Sequence, residues 1–334
     1  MIGAKEKFDC LVLGAGIAGI TAARKMVAAG FSVCLLDKGR GLGGRFATRR
    51  IDGQSFDHGA QFFTARGKVF RLEVQNWVEA GIARPWFGEP EHERFCGVGG
   101  MNRLAKELSV ELDVRRDQKV EWVGFAHGIW AARSNQGVVE GSRLLLTNPA
   151  PQAIDLLETS EVDCGVEFLD TLSLIEYEKC ISLMLLLGSE LGLSESGIIQ
   201  SEAAEPIATI TETSVKGITD LPGIVIQSGP EFAEENFAAT PDTIFKRLAD
   251  ALPFAGHLDV EGMSVQKWRF AKRKEHALEC SFNGDESNFL WHAGDGYNAP
   301  RIEGAFLSGE RVAESIISSL SMNRIPNSQE RGKR

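Results

Sequence analysis

The chain has 334 residues, 36 basic against 46 acidic side chains for a formal charge of −10, and 43% hydrophobic residues, a composition that excludes intrinsic disorder and suits about two domains. The acidic surplus argues against nucleic acid as a partner, because phosphate binding needs a dense basic face. Its 36 glycines have no Gly-X-Y period and come with only 11 prolines, so collagen-like and low-complexity readings fail.

The first seven residues lack the apolar core of a signal peptide, and the longest apolar run, 181–187, is far short of the roughly 20 residues a membrane span needs. A soluble, cytoplasmic chain with no membrane partner is expected. Six cysteines (Cys10, Cys34, Cys96, Cys164, Cys180, Cys280) stand far apart, which suits reduced thiols and no metal site. Residues 8–13 read as a buried strand, Gly14-Ala15-Gly16-Ile17-Ala18-Gly19 follows at once, 17–29 reads as a helix capped by Gly30, and 31–36 reads as a second buried strand. A strand, crossover helix and strand imply a parallel sheet covered on both faces.

Next come a turn-rich basic segment (38–50) and a loop through Asp57-His58-Gly59-Ala60-Gln61-Phe62. A helix is expected at 101–108, strands at 111–115, 118–124 and 128–134, and a buried strand at 142–147 stopped by Asn148-Pro149-Ala150-Pro151. This order predicts a dinucleotide fold carrying an inserted antiparallel ribbon. From about 165 to 285 longer alternating segments appear, with one clear helix that has Thr240 as N-cap, Pro241 at its first position and an end at Leu252. After a strand at 289–293 and a tight turn at Gly294-Asp295-Gly296, a helix at 304–320 returns the chain to the first unit. The expected allocation is a discontinuous cofactor domain (1–70, 94–160, 286–322), a substrate domain (71–93, 161–285) and a polar tail (323–334).

Gly14, Gly16 and Gly19 come directly after a predicted strand and open a predicted helix, the context a dinucleotide-binding Gly-x-Gly-x-x-Gly requires. Gly14 permits the turn, Gly16 admits a pyrophosphate, and Gly19 lets helix and strand pack closely. The helix N-terminus offers unpaired N–H groups to the anion. Asp37, at the end of the second strand, can accept from both ribose hydroxyls. The bland alternative is that the glycines shape a turn and Asp37 caps a strand. A second match, Gly39-x-Gly41-x-x-Gly44, lacks a helix after it and an acid of its own and is rejected as an independent site. The loop alone does not choose between FAD and NAD. The Lys38-to-Arg45 run, the Gly294-Asp295 turn and the late helix favour FAD, with Asp295 holding a ribityl or phosphate-side hydroxyl and the helix N-terminus facing the flavin pyrimidine ring.

The segments 14–19, 37–50, 58–64, 99–108 and 294–308 resemble those of renalase and its bacterial relatives within the flavin amine oxidase superfamily. The similarity covers about the first 110 and the last 30 residues and is thin across 160–265. It implies a non-covalently bound FAD in a Rossmann-type α/β domain of p-hydroxybenzoate-hydroxylase-like topology, beside an α+β substrate domain built on an antiparallel sheet. It implies FAD contacts at the glycine loop, Asp37, Lys38, Gly44 and Arg45, the last near the phosphates. Further contacts are implied at Gly59, Ala60, Gln61 and Phe62 beside the isoalloxazine, at the Val120 backbone against adenine, and at Gly294, Asp295, Arg301, Ile302 and Ala305. The implied activity is oxidation of the 2- and 6-dihydro isomers of NAD(P)H, with O2 reduced to hydrogen peroxide.

Such a reaction needs no general base, because a dihydronicotinamide becomes aromatic as it loses hydride and the flavin carries the chemistry. No Gly-x-Ser-x-Gly, His-Glu-x-x-His or close cysteine pair supports a hydrolase, a zinc protease or a disulfide reductase. Candidate pocket residues are His58, Gln61, Trp291, His292 and Tyr297. His58 alternatively serves as a hydrogen-bonded structural residue, and strand alternation sends either Trp291 or His292 into packing. Lys38 and Arg45 are candidates for phosphate contact, whereas Arg40 and the cluster Lys267, Arg269, Lys272, Arg273 and Lys274 read better as solvated surface. Competing functions are oxidation of a small amine and a flavin-binding module with vestigial activity.

Overall fold

The computed structural model describes residues 6–201, 205–253, 258–274, 282–297 and 301–324. Cys280 and most of the expected polar tail lie outside them. The described helices are α1 (Ile17–Ala28), α2 (Lys68–Glu79), α3 (Met101–Leu108), α4 (Ala150–Thr159), α5 (Val166–Ser173), α6 (Pro230–Asn236), α7 (Pro241–Asp250) and α8 (Ile302–Arg324).

The first unit is an α/β layer built on the expected strand, crossover helix and strand. Its six-stranded sheet runs Asn283–Asp285, Leu290–His292, Leu144–Leu146, Cys10–Leu13, Val33–Leu36 and Asp113–Arg115. All neighbours are parallel except the first pair. Every residue of the four central strands is buried, and alternate side chains serve two cores. Val12, Leu35, Leu145 and Trp291 join α1, α3 and α8 on one face, and Leu11, Cys34, Leu144 and Leu146 face the other. That is the pattern of a parallel sheet covered on both sides. Gly309 lets α8 lie against α1, since a Cβ there would come within 2.4 Å of the Ala18 carbonyl oxygen.

The second face is covered by an antiparallel ribbon that differs from the expected one: 113–115 joins the six-stranded sheet, and 137–141, where no strand was expected, completes the ribbon. Val120–Ala126, Ile129–Ser134 and Gly137–Gly141 pair antiparallel, and Lys7–Phe8 adds in parallel. Trp130 of this ribbon is fully buried and donates through Nε1 to the Asn288 carbonyl.

The second unit is a five-stranded antiparallel sheet in the order Ile198–Gln200, Ile207–Glu212, Gly223–Ser228, Tyr177–Leu187 and Val260–Arg273. One face (Ile181, Leu183, Leu185, Ile224, Ile226) packs on α6 and α7. Helix α7 starts as expected, with the Thr240 hydroxyl accepting from the Thr243 N–H, and ends at Asp250. The other face turns Met184, Leu186 and Val225 onto Phe56, a fully buried side chain of the first unit. Burial of a phenylalanine contributes about 1.5–3 kcal/mol, so this contact is a substantial tie between the units.

Three domain boundaries differ from expectation, those at 70/71, 160/161 and 285/286. Helix α2, placed with the substrate unit from 71 onward, buries Phe70, Val74 and Trp77 in the first unit's core, where Phe70 and Trp77 meet Phe306 of α8. Helix α5 likewise buries Phe168 and Leu172 under the first sheet, and Asn283–Asp285 is that sheet's edge strand. Both helices are amphipathic, and amphipathicity tells that a face is buried without telling against what. The hairpin Ala83–Phe87 and Arg94–Gly97 does reach the second unit, since Trp86 Nε1 donates to the Ser196 carbonyl.

Candidate functional site

The glycine loop separates into packed and open positions. Gly14 has φ +113°, and a Cβ there would lie 2.6 Å from Thr147 Oγ1, while a Cβ at Gly19 would lie 2.1 Å from the Gly14 carbonyl oxygen. A Cβ at Gly16 would meet nothing within 4 Å. Gly16 is also the N-cap of α1, and no side chain caps that end. The Ile17, Ala18 and Gly19 N–H groups of the first turn thus face a space that a phosphate fits. Asp37 is pinned beside this space, one carboxylate oxygen accepting from the Ala15 N–H and the other from the Gly39 N–H, both at 2.6 Å. Each oxygen keeps a further acceptor position for a ribose hydroxyl. The Gln118 N–H donates to the Asp37 carbonyl, which brings Val120, paired with Ser134 at the start of the ribbon, to the same end of the groove.

The Gly43–Gly44 turn leans on the loop. The Gly43 N–H donates to the Ala15 carbonyl, and a Cβ at Gly44 would lie 3.6 Å from Gly16 Cα. Gly44–Phe46 forms only a single 3-10 turn, so the second glycine motif has no helix dipole of its own. Arg45, on that turn, forms a bidentate ion pair with Asp295, donates to the Ala271 carbonyl and stands over the Tyr177 ring. Burial works against the guanidinium charge, but the Asp295 carboxylate outweighs it and raises the Arg45 pKa. Gly294 has φ +156° and open space where a Cβ would be, and its N–H donates to Ser308 Oγ on α8. At the start of α8, Arg301 is exposed, Ile302 half-buried and Ala305 buried. Glu303 accepts from the Arg66 and Gly67 N–H groups and so ties α8 to the start of α2.

The loop 57–62 lies where the two units meet. Ser182 Oγ and Trp268 Nε1 both donate to the His58 carbonyl, at 2.7 and 2.8 Å, and Gln227 Nε2 donates to the Gly59 carbonyl. The His58 ring stacks on Trp268, centroids 5.4 Å apart and planes 21° from parallel. Its Nδ1 is buried with no hydrogen-bond partner, and burial, aided by the Arg49 charge, pushes its pKa down to about 4. Ala60 and Phe62 are half-buried, and Phe62 meets Phe87 edge-on.

Several expected roles change. Gln61 turns inward: its amide donates to the Asp57 and Gly59 carbonyls and its oxygen faces Lys216, so only its backbone remains for a ligand. Trp291 is 1% exposed within the first core, which excludes it as a pocket wall. His292 and Tyr297 are buried together, the His ring held by the Tyr297 hydroxyl and the Asn148 carbonyl, each at 2.9 Å. Both ring nitrogens are engaged, and burial lowers the His292 pKa to about 4, which makes these two residues structural. Lys38 reaches Gln152 on α4 instead of the glycine loop. Lys267, expected at a solvated edge, is half-buried and donates to the Phe237 and Ala239 carbonyls after α6. Arg49 spans the units to Ser264 and Gln266.

The residues that sequence reasoning missed are Ser182, Lys216, Gln227 and Trp268, all from the second unit. Trp268 lies between Lys267 and Arg269 of the basic cluster, and neither it nor Lys216 belongs to a motif. An open depression of about 810 Å³ lined by residues such as Phe125, Cys164 and Asp285 shares no residue with this groove. Among the described residues no cluster suits a metal ion, and no helix is long and apolar enough to cross a membrane.

A family model described as an NAD(P)-binding Rossmann-like domain matches residues 12–73. Among solved structures, the chain is similar to cyclohexylamine oxidase from Brevibacterium oxydans IH-35A, with a TM-score of 0.73 at 12% identity over 94% of this chain and 99% of that one. It is also similar to a putrescine oxidase redesigned in its cofactor binding, with a TM-score of 0.69 at 14% identity over the same shares. At such identities the likeness establishes a shared fold.

Proposed function

We propose that the protein is an FAD-dependent oxidase that takes hydride from a dihydropyridine nucleotide, the 2- or 6-dihydro isomer of NAD(P)H, and delivers the electrons to O2. The observation that carries the cofactor assignment is a single line of groups. Gly16, open at the uncapped start of α1, is approached by Gly44, the next residue Arg45 pairs with Asp295, and Gly294 beside that aspartate is open where a Cβ would be. A phosphate at the loop, hydroxyls at Asp37 and Asp295, and a flat ring at the 58–62 loop match an extended dinucleotide, and the partnerless His58 Nδ1 offers one more polar contact. Bound there without a covalent link, FAD supplies a hydride acceptor and a route for two electrons to O2, giving hydrogen peroxide.

The chain's own residues bind and orient. The helix N-terminus and Arg45 hold phosphate charge, and the donors from Ser182, Trp268 and Gln227 hold the 58–59 backbone rigid, as a hydride transfer distance of about 3–3.5 Å demands. No proton has to be removed from the donor. His58 suits this, since a ring with pKa about 4 is neutral at pH 7 and a weak base.

A second reading, oxidation of a small amine, is favoured by the substrates named for the two solved neighbours. Against it, the two tyrosines of the chain do not form a cage: Tyr297 is buried against His292 and Tyr177 lies under Arg45. His58 and Trp268 stack on each other and leave no gap between two walls for a substrate. The test is to add donors anaerobically to the purified flavoprotein and monitor flavin absorbance. Bleaching by NADH isomers and not by amines is the expected result. Bleaching by amines alone reverses the order, and bleaching by neither leaves a flavin-binding module.

A further inference from the structure

Lys216 is 0% exposed and so is its partner Asp57, at a distance of 2.7 Å. The lysine comes from the turn after Ile207–Glu212 in the second unit, and the aspartate ends the strand Gln54–Asp57 in the first. Asp57 also accepts from Thr48 Oγ1 and from the Met101 N–H at the start of α3. Lys216 Nζ lies 3.4 Å from Gln61 Oε1 and 5.0 Å from the centre of the Trp86 ring. The Gln61 amide donates back to the Asp57 carbonyl. A closed ring of contacts therefore runs from Asp57 through Gln61 and Lys216 to the Asp57 carboxylate, and the short loop it encloses carries His58.

Withdrawing two charges from water is expensive, and an apolar pair of similar volume often holds a fold as well or better. Stability alone is thus a weak reason for a buried lysine here. What the lysine does that a methionine does not is reach two points of the 57–61 loop at once from the other unit. We infer that Lys216 is a positioning residue: acting through Asp57 and Gln61, it sets the place of the 58–62 segment against the cofactor ring and makes cofactor binding depend on how the second unit is seated. This rests on the FAD reading above.

The test uses the full chain, freed of flavin and titrated with FAD. The variant is D57N/K216M, which removes both charges together and leaves no lone buried carboxylate. A rise of roughly tenfold or more in the FAD Kd, in the range of coupling between contacting groups, is expected, with an altered visible circular dichroism spectrum of the bound flavin. Should that variant not fold, Gln61→Met cuts the link to the loop while keeping the ion pair, and the same two changes are expected. A lowered melting temperature with FAD Kd and flavin spectrum unchanged overturns the positioning role and leaves Lys216 a structural residue. A wild-type chain that takes up no FAD overturns the cofactor reading itself, and this inference with it.

Discussion

Arg45 and Asp295 stand 250 positions apart and meet in a bidentate ion pair, with both N–O distances 2.6 Å. The pair joins the turn after the glycine loop to the turn before α8, the two places from which a dinucleotide in this groove would be held. Charge-assisted hydrogen bonds contribute about 1.5–3 kcal/mol each. Arg45→Met should therefore weaken FAD binding by roughly ten- to a hundredfold in a fluorescence titration. Because the two side chains share one set of bonds, R45M/D295N should cost less than the sum of the single changes. Strict additivity would show that they act apart.

Gly16 and Gly19 should fail in different ways. Gly16 has φ −79°, open to any residue, and a side chain there meets no protein atom within 4 Å. Gly16→Val should melt close to wild type yet bind no FAD. Gly19→Val drives a Cβ to 2.1 Å from the Gly14 carbonyl oxygen and should not yield folded protein. Undiminished FAD in Gly16→Val would place the pyrophosphate elsewhere.

His58 and His292 are both kept neutral by burial, which lowers each from 6.5 to about 4. Between those values a proton binds the unfolded chain and not the folded one. Their contribution to stability is whole above about pH 6.5 and is lost as pH falls towards 4, by up to about 1.4 kcal/mol per unit for each ring. Melting curves from pH 7 to 4 should fall less steeply for His58→Gln than for wild type. Equal slopes would mean that His58 takes up its proton in the fold.

Thr240 caps α7 through its hydroxyl, on the far side of the second sheet from the 58–62 loop. Thr240→Ala should cost about 1 kcal/mol and lower the melting temperature by roughly 2–4 °C, with FAD affinity unchanged. A coupled loss of FAD would tie α7 to the groove.

Local devices were legible in the sequence because their causes are local. The glycine loop, Asp37, the cap at Thr240, the buried strands and the ribbon each arise from residues within a few positions of one another. Asp295 was found through its glycine turn and Arg45 through the run after Asp37, although their pairing with each other was not.

What the sequence by itself determined is the first unit's α/β plan and the glycine loop at the start of α1, where a fixed spacing of glycines leaves the helix end uncapped and open. Tertiary structure alone decided the junction of the two units. Side chains of one character took opposite fates there: His58 lies at the junction of the units while His292 is enclosed with Tyr297, and Lys216 is buried on Asp57 while Lys38 reaches out to Gln152. The reason is physical. A side chain's role at the junction is set by which strand of the second sheet lies across from it, and that pairing is made by long-range burial that leaves no period in the sequence.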